Sequence, residues 1–295
     1  MSNSRWFVFA MLSSVGYGIW AFFDKLSSFQ SPFLNNFIIY GIAFAIVLAV
    51  MRPRQFPPIS ALLSGVFGGI INLLALVTLQ SRLLLTVYPF VAAGGLVYFA
   101  IVYTTKRPAY GRLQSAGVVS GGTLAVIGIL ISGLAYSSGQ GVSSSLSGSV
   151  LILVGIAITI STGLWIYFAG HAIIDEKCSP VVAGFWILFA SFGVSASGLL
   201  IDLPSLGAIQ LSLYQLYPIG AGILIFVGEM FSYLAFGGIR DNPSVARSST
   251  VAVLSNSEIV PVVLLSLFVL GEYSILAILG IVLLGIGLLI LNYSE

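Results

Sequence analysis

Apolar residues run through this chain in long blocks, and polar residues cluster in the short breaks between them. The blocks lie near 5–26, 33–51, 59–79, 83–104, 113–134, 148–172, 180–201, 216–239, 245–270 and 274–291. Each is close to the ~20 residues that carry an α-helix across ~30 Å of hydrocarbon at ~1.5 Å rise per residue. A membrane β-strand needs only ~9–11 residues of alternating polarity, a poorer fit to blocks of this length. The pattern predicts an all-α integral membrane protein with ten transmembrane helices. The breaks carry turn chemistry: Arg52-Pro53-Arg54, Pro57-Pro58, Lys106-Arg107-Pro108 and Asp241-Asn242-Pro243. A Ser/Gly-rich stretch, 137–149, is a flexible joint by composition. It separates an N-terminal unit, 1–136, from a C-terminal unit, 150–295.

The two units echo each other. Gly18-Ile19-Trp20 in the first block is matched by Gly163-Leu164-Trp165 in the sixth. Ser31-Pro32 opens the second block as Ser179-Pro180 opens the seventh, and Gly117 and Gly122 correspond to Gly280 and Gly285. Five helices per half make the second half run opposite to the first. The expected architecture is two inverted-topology five-helix repeats.

Composition agrees with the membrane reading. The chain is 58% apolar and 7% charged, with mean hydropathy +1.10, whereas soluble domains carry about 25% charged residues. Charge placement adds orientation. With the N-terminus inside, Arg5, Arg52, Arg54, Lys106, Arg107, Arg112, Lys177, Arg240 and Arg247 fall at the cytoplasmic side, and only Lys25 and Arg82 opposite. This bias predicts a multi-pass protein of a plasma or inner membrane with both termini cytoplasmic. One cysteine, Cys178, excludes an internal disulfide and a cysteine-rich metal site. No cofactor, metal or nucleic-acid partner is expected; the partners are the bilayer and a small-molecule substrate, with the carrier a monomer or homodimer.

The candidate chemistry stands out against this apolar background. Glu229 sits near the centre of the eighth block and Glu258 near that of the ninth, with Pro261 one turn later. A charge at mid-membrane depth costs at least ~2.5–3.5 kcal/mol, so such groups read as functional by default. Carboxyl groups buried side by side resist ionisation, which suits proton coupling near working pH. The competing reading is a pair of protonated acids hydrogen-bonded across helix contacts. Arg247 is either a distant electrostatic partner of Glu258 or an anchor at the cytoplasmic interface.

Ser13, Tyr17, Trp20 and Asp24 are spaced by four, three and four, and so share one helical face. Tyr17 and Trp20, with Trp165, are read as cavity wall. Asp24, beside Lys25 at the helix end, is read as a solvated interfacial residue. His171 beside Asp175-Glu176-Lys177 is read as interfacial too, though a histidine can relay protons. Asn72 either bonds a neighbouring helix or meets substrate. Tyr233, one turn past Glu229, is placed to orient that carboxyl or a ligand, and Ser255 completes the cavity candidates. The sequence holds no Walker A lysine motif, no His-Glu-x-x-His and no Gly-x-Ser-x-Gly, so neither ATP drive nor intramembrane hydrolysis has an obvious machinery.

The last two blocks carry Pro261-Val262, then Leu270-Gly271-Glu272, then Gly280 and Gly285, glycines whose small size lets helices approach. With Trp20, Ser31-Pro32, Trp165 and Ser179-Pro180, this pattern resembles the drug/metabolite transporter superfamily, and within it the EamA-type ten-helix exporters. The first half has Lys106-Arg107-Pro108 where the second has Leu270-Gly271-Glu272. The resemblance implies a secondary transporter, not an enzyme, that exports or exchanges small polar metabolites such as amino acids by alternating access. Two rivals are carried forward. A nucleotide-sugar or sugar-phosphate carrier would want cationic side chains in the cavity. An intramembrane lipid-modifying enzyme would use Glu229, His171 and Asp24 as acid–base groups.

Overall fold

A computed structural model describes residues 5–27, 31–51, 56–80, 84–106, 112–137, 148–202, 216–241, 248, 251–252, 254–255, 258–271 and 274–292. Helices account for the secondary structure there, with no strand among the described residues. Arg247, the linker core 138–147, and Glu272-Tyr273 of the final hairpin corner lie outside them.

Helix α1 (Arg5–Ser27) shows how the sequence is used. Its exposed stripe is Phe7, Val8, Met11, Leu12 and Val15, while its buried face holds Ser13, Tyr17, Trp20 and Asp24. The last helix, Ile275–Asn292, likewise turns Leu276, Leu279, Val282 and Ile286 outward. Large apolar groups face outward and polar ones inward, the reverse of a water-soluble bundle. That is the build of a multi-pass membrane protein. α2 (Pro32–Val50) starts where Ser31 Oγ accepts the Leu34 N–H at 3.3 Å and Pro32 supplies a preset φ. α3 is Ile59–Leu79.

The fourth block is not one helix. It forms α4 (Leu84–Ala92) and α5 (Gly94–Lys106), parted at Ala93. Pro89 lies inside α4, lacks an N–H, and is followed by small residues that hold the chain weakly to one helix. Beyond it come α6 (Arg112–Ser137), α7 (Gly148–Gly170) with a π-helical turn over His171–Asp175, α8 (Pro180–Ile201) and α9 (Leu216–Ile239). In the ninth block Ser248, Val251, Ala252, Leu254 and Ser255 are helical, and Glu258 forms a turn into α10 (Ile259–Leu265). A π-helical turn, Ser266–Leu270, ends at Gly271, whose φ of 65° is left-handed and suits glycine. α11 is Ile275–Asn292.

The helix count departs from the expected ten. Among the described residues seven helical stretches are long and apolar enough to cross a membrane, the fourth block counting as one of them over Val87–Thr105 despite its turn at Ala93; the fifth, ninth and tenth blocks supply only the shorter apolar stretches Val119–Gly128, Pro261–Leu270 and Ile278–Gly287.

Small residues set the packing. α1 and α9 run antiparallel, with Trp6 at Gly238, Gly16 at Gly228 and Phe23 at Gly220. Ser13 Oγ donates to the Gly228 carbonyl at 2.8 Å across this crossing. α3 meets α8 at Gly65, where a Cβ would fall 2.1 Å from the Ile187 carbonyl oxygen, and Ser191 Oγ donates back to the Gly65 carbonyl at 2.8 Å. Interhelical hydrogen bonds in membranes average about 0.6 kcal/mol, so close backbone packing carries much of the association. The α6–α11 contact corrects one expectation. Gly285 has open space around it; the tight approaches are at Gly128, against the Gly280 carbonyl, and at Gly287, against Ala125.

Candidate functional site

The glycines that bring α1, α3 and α9 together also clear room for large rings at their centre. A Cβ at Gly228 would strike the Tyr17 ring at 2.8 Å, and one at Gly68 would lie 3.4 Å from the Trp165 ring. Trp165 and Tyr17 meet edge to face at 5.7 Å between centroids, Tyr17 meets Trp20 at 5.9 Å, and Trp20 meets Tyr88 at 6.1 Å. Aromatic pairs of this kind contribute about 0.5–1.5 kcal/mol each beyond their burial. The rings form a continuous wall from α7 through α1 to α4.

That wall bounds a narrow cavity of about 20 Å³, room for about one water molecule. Tyr17 and Trp20 come from α1, Tyr40 from α2, Gly68 and Ile71 from α3, Trp165 from α7, and Ile225 and Glu229 from α9. Glu258 enters from the turn before α10. The two carboxyl groups, one from α9 and one from the turn before α10, thus face the same space. Both are buried, at 1% exposure. Tyr17 lies within electrostatic range of each.

Their surroundings differ. Glu229 Oε2 accepts the Tyr233 hydroxyl at 2.8 Å. Glu258 has no partner on either carboxyl oxygen, while its carbonyl accepts the Val262 N–H at 2.9 Å as α10 begins. The indole N–H groups of Trp20 and Trp165 and the Tyr17 hydroxyl are also unpartnered. The lining offers rings for an apolar group, donors for an anionic one and carboxyls for a cation or proton; in this conformation the space admits little more than a water molecule, and a larger ligand requires the helices to part.

Other sequence candidates fall outside the lining. Asn72 bonds a neighbouring helix, its Nδ2 donating to Asn36 Oδ1 at 2.8 Å. Tyr233 is fully buried behind Glu229, its ring against Gly184. Ser255 is buried with its hydroxyl unpartnered. His171 is 39% exposed, bonded through Nδ1 to Asp175 at 2.8 Å and stacked on Tyr167 at 5.9 Å. Arg247 lies outside the described residues. Asp24 corrects the solvated reading. It is fully buried, with both carboxyl oxygens unpartnered, whereas Lys25 reaches the Leu79 carbonyl at 2.9 Å. Adjacent residues on a helix point about 100° apart, so the dyad splits between interior and edge.

Tyr40, Gly68, Ile71 and Ile225 went unnoticed in the sequence. Tyr40 follows Asn35-Asn36 inside an apolar block, and a run of polar side chains there was the available signal. Among the described residues no lysine or arginine lines the cavity, and no cluster of three or more His, Cys, Asp or Glu side chains could hold a metal.

No family model matches this chain. No curated protein matches it in sequence. Solved structures do: 22 chains match in fold. One crystal structure aligns over 98% of this chain and 96% of its own, with a TM-score of 0.64 at 17% identity. Identity that low makes the likeness one of fold.

Proposed function

We propose that this protein is a secondary active transporter that moves small polar metabolites, amino acids or related compounds, across a plasma or inner membrane by alternating access, in the direction of export. The observation that carries the reading is the pair Glu229 and Glu258, buried on separate helices and facing one aromatic-walled cavity. Each costs energy to hold in a membrane interior, a cost that a scaffold protein has no reason to bear. Protonation of the pair supplies the coupling, and the resemblance to EamA-type exporters of the drug/metabolite transporter superfamily belongs to the same proposal.

The architecture proposed with it is ten helices in two inverted halves, with both termini cytoplasmic. Its support is a pairing scheme that survives exchange of the halves. α1 meets α9 through Ser13 and the Gly228 carbonyl; the exchanged pair, α7 and α3, meets through Ser64 and the Trp165 carbonyl at 2.9 Å. Gly65 of α3 abuts the Ile187 carbonyl of α8; in the exchanged pair Gly222 of α9 abuts the Ile39 carbonyl of α2. Gly18 packs on Pro261 of the ninth block, and its sequence mate Gly163 packs on Val97 of the fourth.

The sugar-phosphate alternative finds no described cation in the cavity to meet a phosphate. The enzyme alternative loses His171, which is half-exposed and engaged with Asp175. The test is flux in proteoliposomes with labelled amino acids and nucleotide sugars, with and without a pH gradient. Saturable amino-acid flux that responds to the gradient is expected; saturable nucleotide-sugar flux alone would overturn the substrate class.

A further inference from the structure

Asp24, one turn beyond Trp20 on α1, belongs neither to the cavity lining nor to the solvent-exposed surface. Its helix turn is well fixed: Ser27 Oγ donates to the Asp24 carbonyl at 2.9 Å, and Asn35 Nδ2 on α2 donates to the Ser27 carbonyl at 2.5 Å. The side chain is left without a hydrogen-bond partner, and so is the hydroxyl of Tyr88, which is fully buried on α4. Tyr88 lies within electrostatic range of both Asp24 and Glu258. Tyr40 on α2 lies within range of Asp24 and Glu229, its hydroxyl committed to the Gly68 carbonyl at 2.9 Å. Trp20 acts on Asp24 from their own helix, short of a completed hydrogen bond. Lys25 donates to Leu79 on α3 and does not bond the carboxyl.

A carboxylate ion held in such a place, with neither counter-ion nor completed hydrogen bond among the described residues, costs several kcal/mol. It is accommodated when the group carries a cation. A metal ion needs a cage of oxygens, and among the described residues no group of three or more His, Cys, Asp or Glu side chains could form one. A proton needs no cage. We propose that Asp24 is a proton-binding site separate from the substrate cavity, one that takes up and releases a proton during the cycle without touching substrate. Tyr88 is a buried hydroxyl within electrostatic range of both Asp24 and Glu258. This inference rests on the transporter reading for its use, but the protonation itself stands apart from transport.

The experiment is infrared spectroscopy of the full chain in lipid nanodiscs, following the carbonyl stretch of protonated carboxyl groups as pH is changed. Asp24→Asn, isosteric with the native side chain, is expected to remove one titrating absorption that Glu229→Gln and Glu258→Gln retain. Replacing choline with sodium at constant pH should leave that absorption intact. Tyr88→Phe removes the polar neighbour and should shift its frequency, which keeps the test open should Asp24→Asn fail to fold. Identical spectra for the wild type and Asp24→Asn would overturn the proposal, as would loss of the absorption on adding sodium. In proteoliposomes Asp24→Asn should change the gradient response of flux with the substrate KM unaltered. Absence of flux from wild-type protein, with the infrared absorption present, would strike the transporter reading and not the Asp24 proton.

Discussion

The Tyr233 hydroxyl donates to Glu229 Oε2 across 2.8 Å, one turn along α9, while Glu258 in the same cavity has no donor among the described residues. The two carboxyls are therefore unequal. Glu229 is held by its own helix, and Glu258 is open to whatever enters the cavity. In the transporter proposed above, one group would stay oriented while the other meets the transported species.

Replacing Tyr233 with Phe keeps the ring against Gly184 and removes the donor. A buried oxygen left unsatisfied costs about 1–3 kcal/mol, so the detergent-solubilised variant should melt at a lower temperature than wild type. An unchanged melting temperature would mean that Glu229 finds another donor.

Glycine variants separate close approach from mere presence in a helix. Gly65→Ala drives a Cβ to 2.1 Å from the Ile187 carbonyl, and overpacking of this kind costs about 1–3 kcal/mol. Gly122→Ala meets nothing within 4 Å and should be neutral or stabilising by up to about 1 kcal/mol. Thermal melting of the pair checks the contrast.

How much of this was legible beforehand follows from the same physics. Glu229 and Glu258 stood out because a lone carboxyl in an apolar block has few explanations, and Tyr17 and Trp20 because helical spacing put them on one face. Asp24 was misjudged because an Asp-Lys pair at a helix end looks solvated; one residue step turned it inward. Tyr40 was hard to pick out, since apolar residues run all round its helix and the polar signal on the buried face is confined to Asn35, Asn36 and Tyr40 itself. The break at Ala93 and the choice of Gly128 and Gly287 over Gly285 depend on how helices meet, which a one-dimensional pattern does not carry.

Trp165 lines the cavity, edge-on to Tyr17. Trp165→Ala removes a wall that a ligand would stack on. KM for a transported solute should rise at least about tenfold, equivalent to ~1.4 kcal/mol, with a smaller change in the maximal rate. Flux titrations against substrate concentration read both quantities.

Cys178 lies in the short connection from the π-helical turn to α8. Partial burial and then the Glu176 carboxylate push its thiol above the ordinary range, against weaker opposing pulls from the Ala183 backbone and Arg240. The thiolate is the reactive form, so alkylation should be slow at neutral pH and accelerate as the solution is made alkaline. With the N-terminus inside, this connection is cytoplasmic. A membrane-impermeant maleimide should label inside-out vesicles and spare right-side-out ones; the opposite pattern would invert the topology.

The most direct test of the account is proton-gradient-driven flux in proteoliposomes for the wild type, Glu229→Gln, Glu258→Gln and the double variant. Coupling through the two carboxyls predicts that each single change weakens the response to the gradient and that the double variant has none, with the protein still folded. Undiminished pH-dependent flux in the double variant would contradict it.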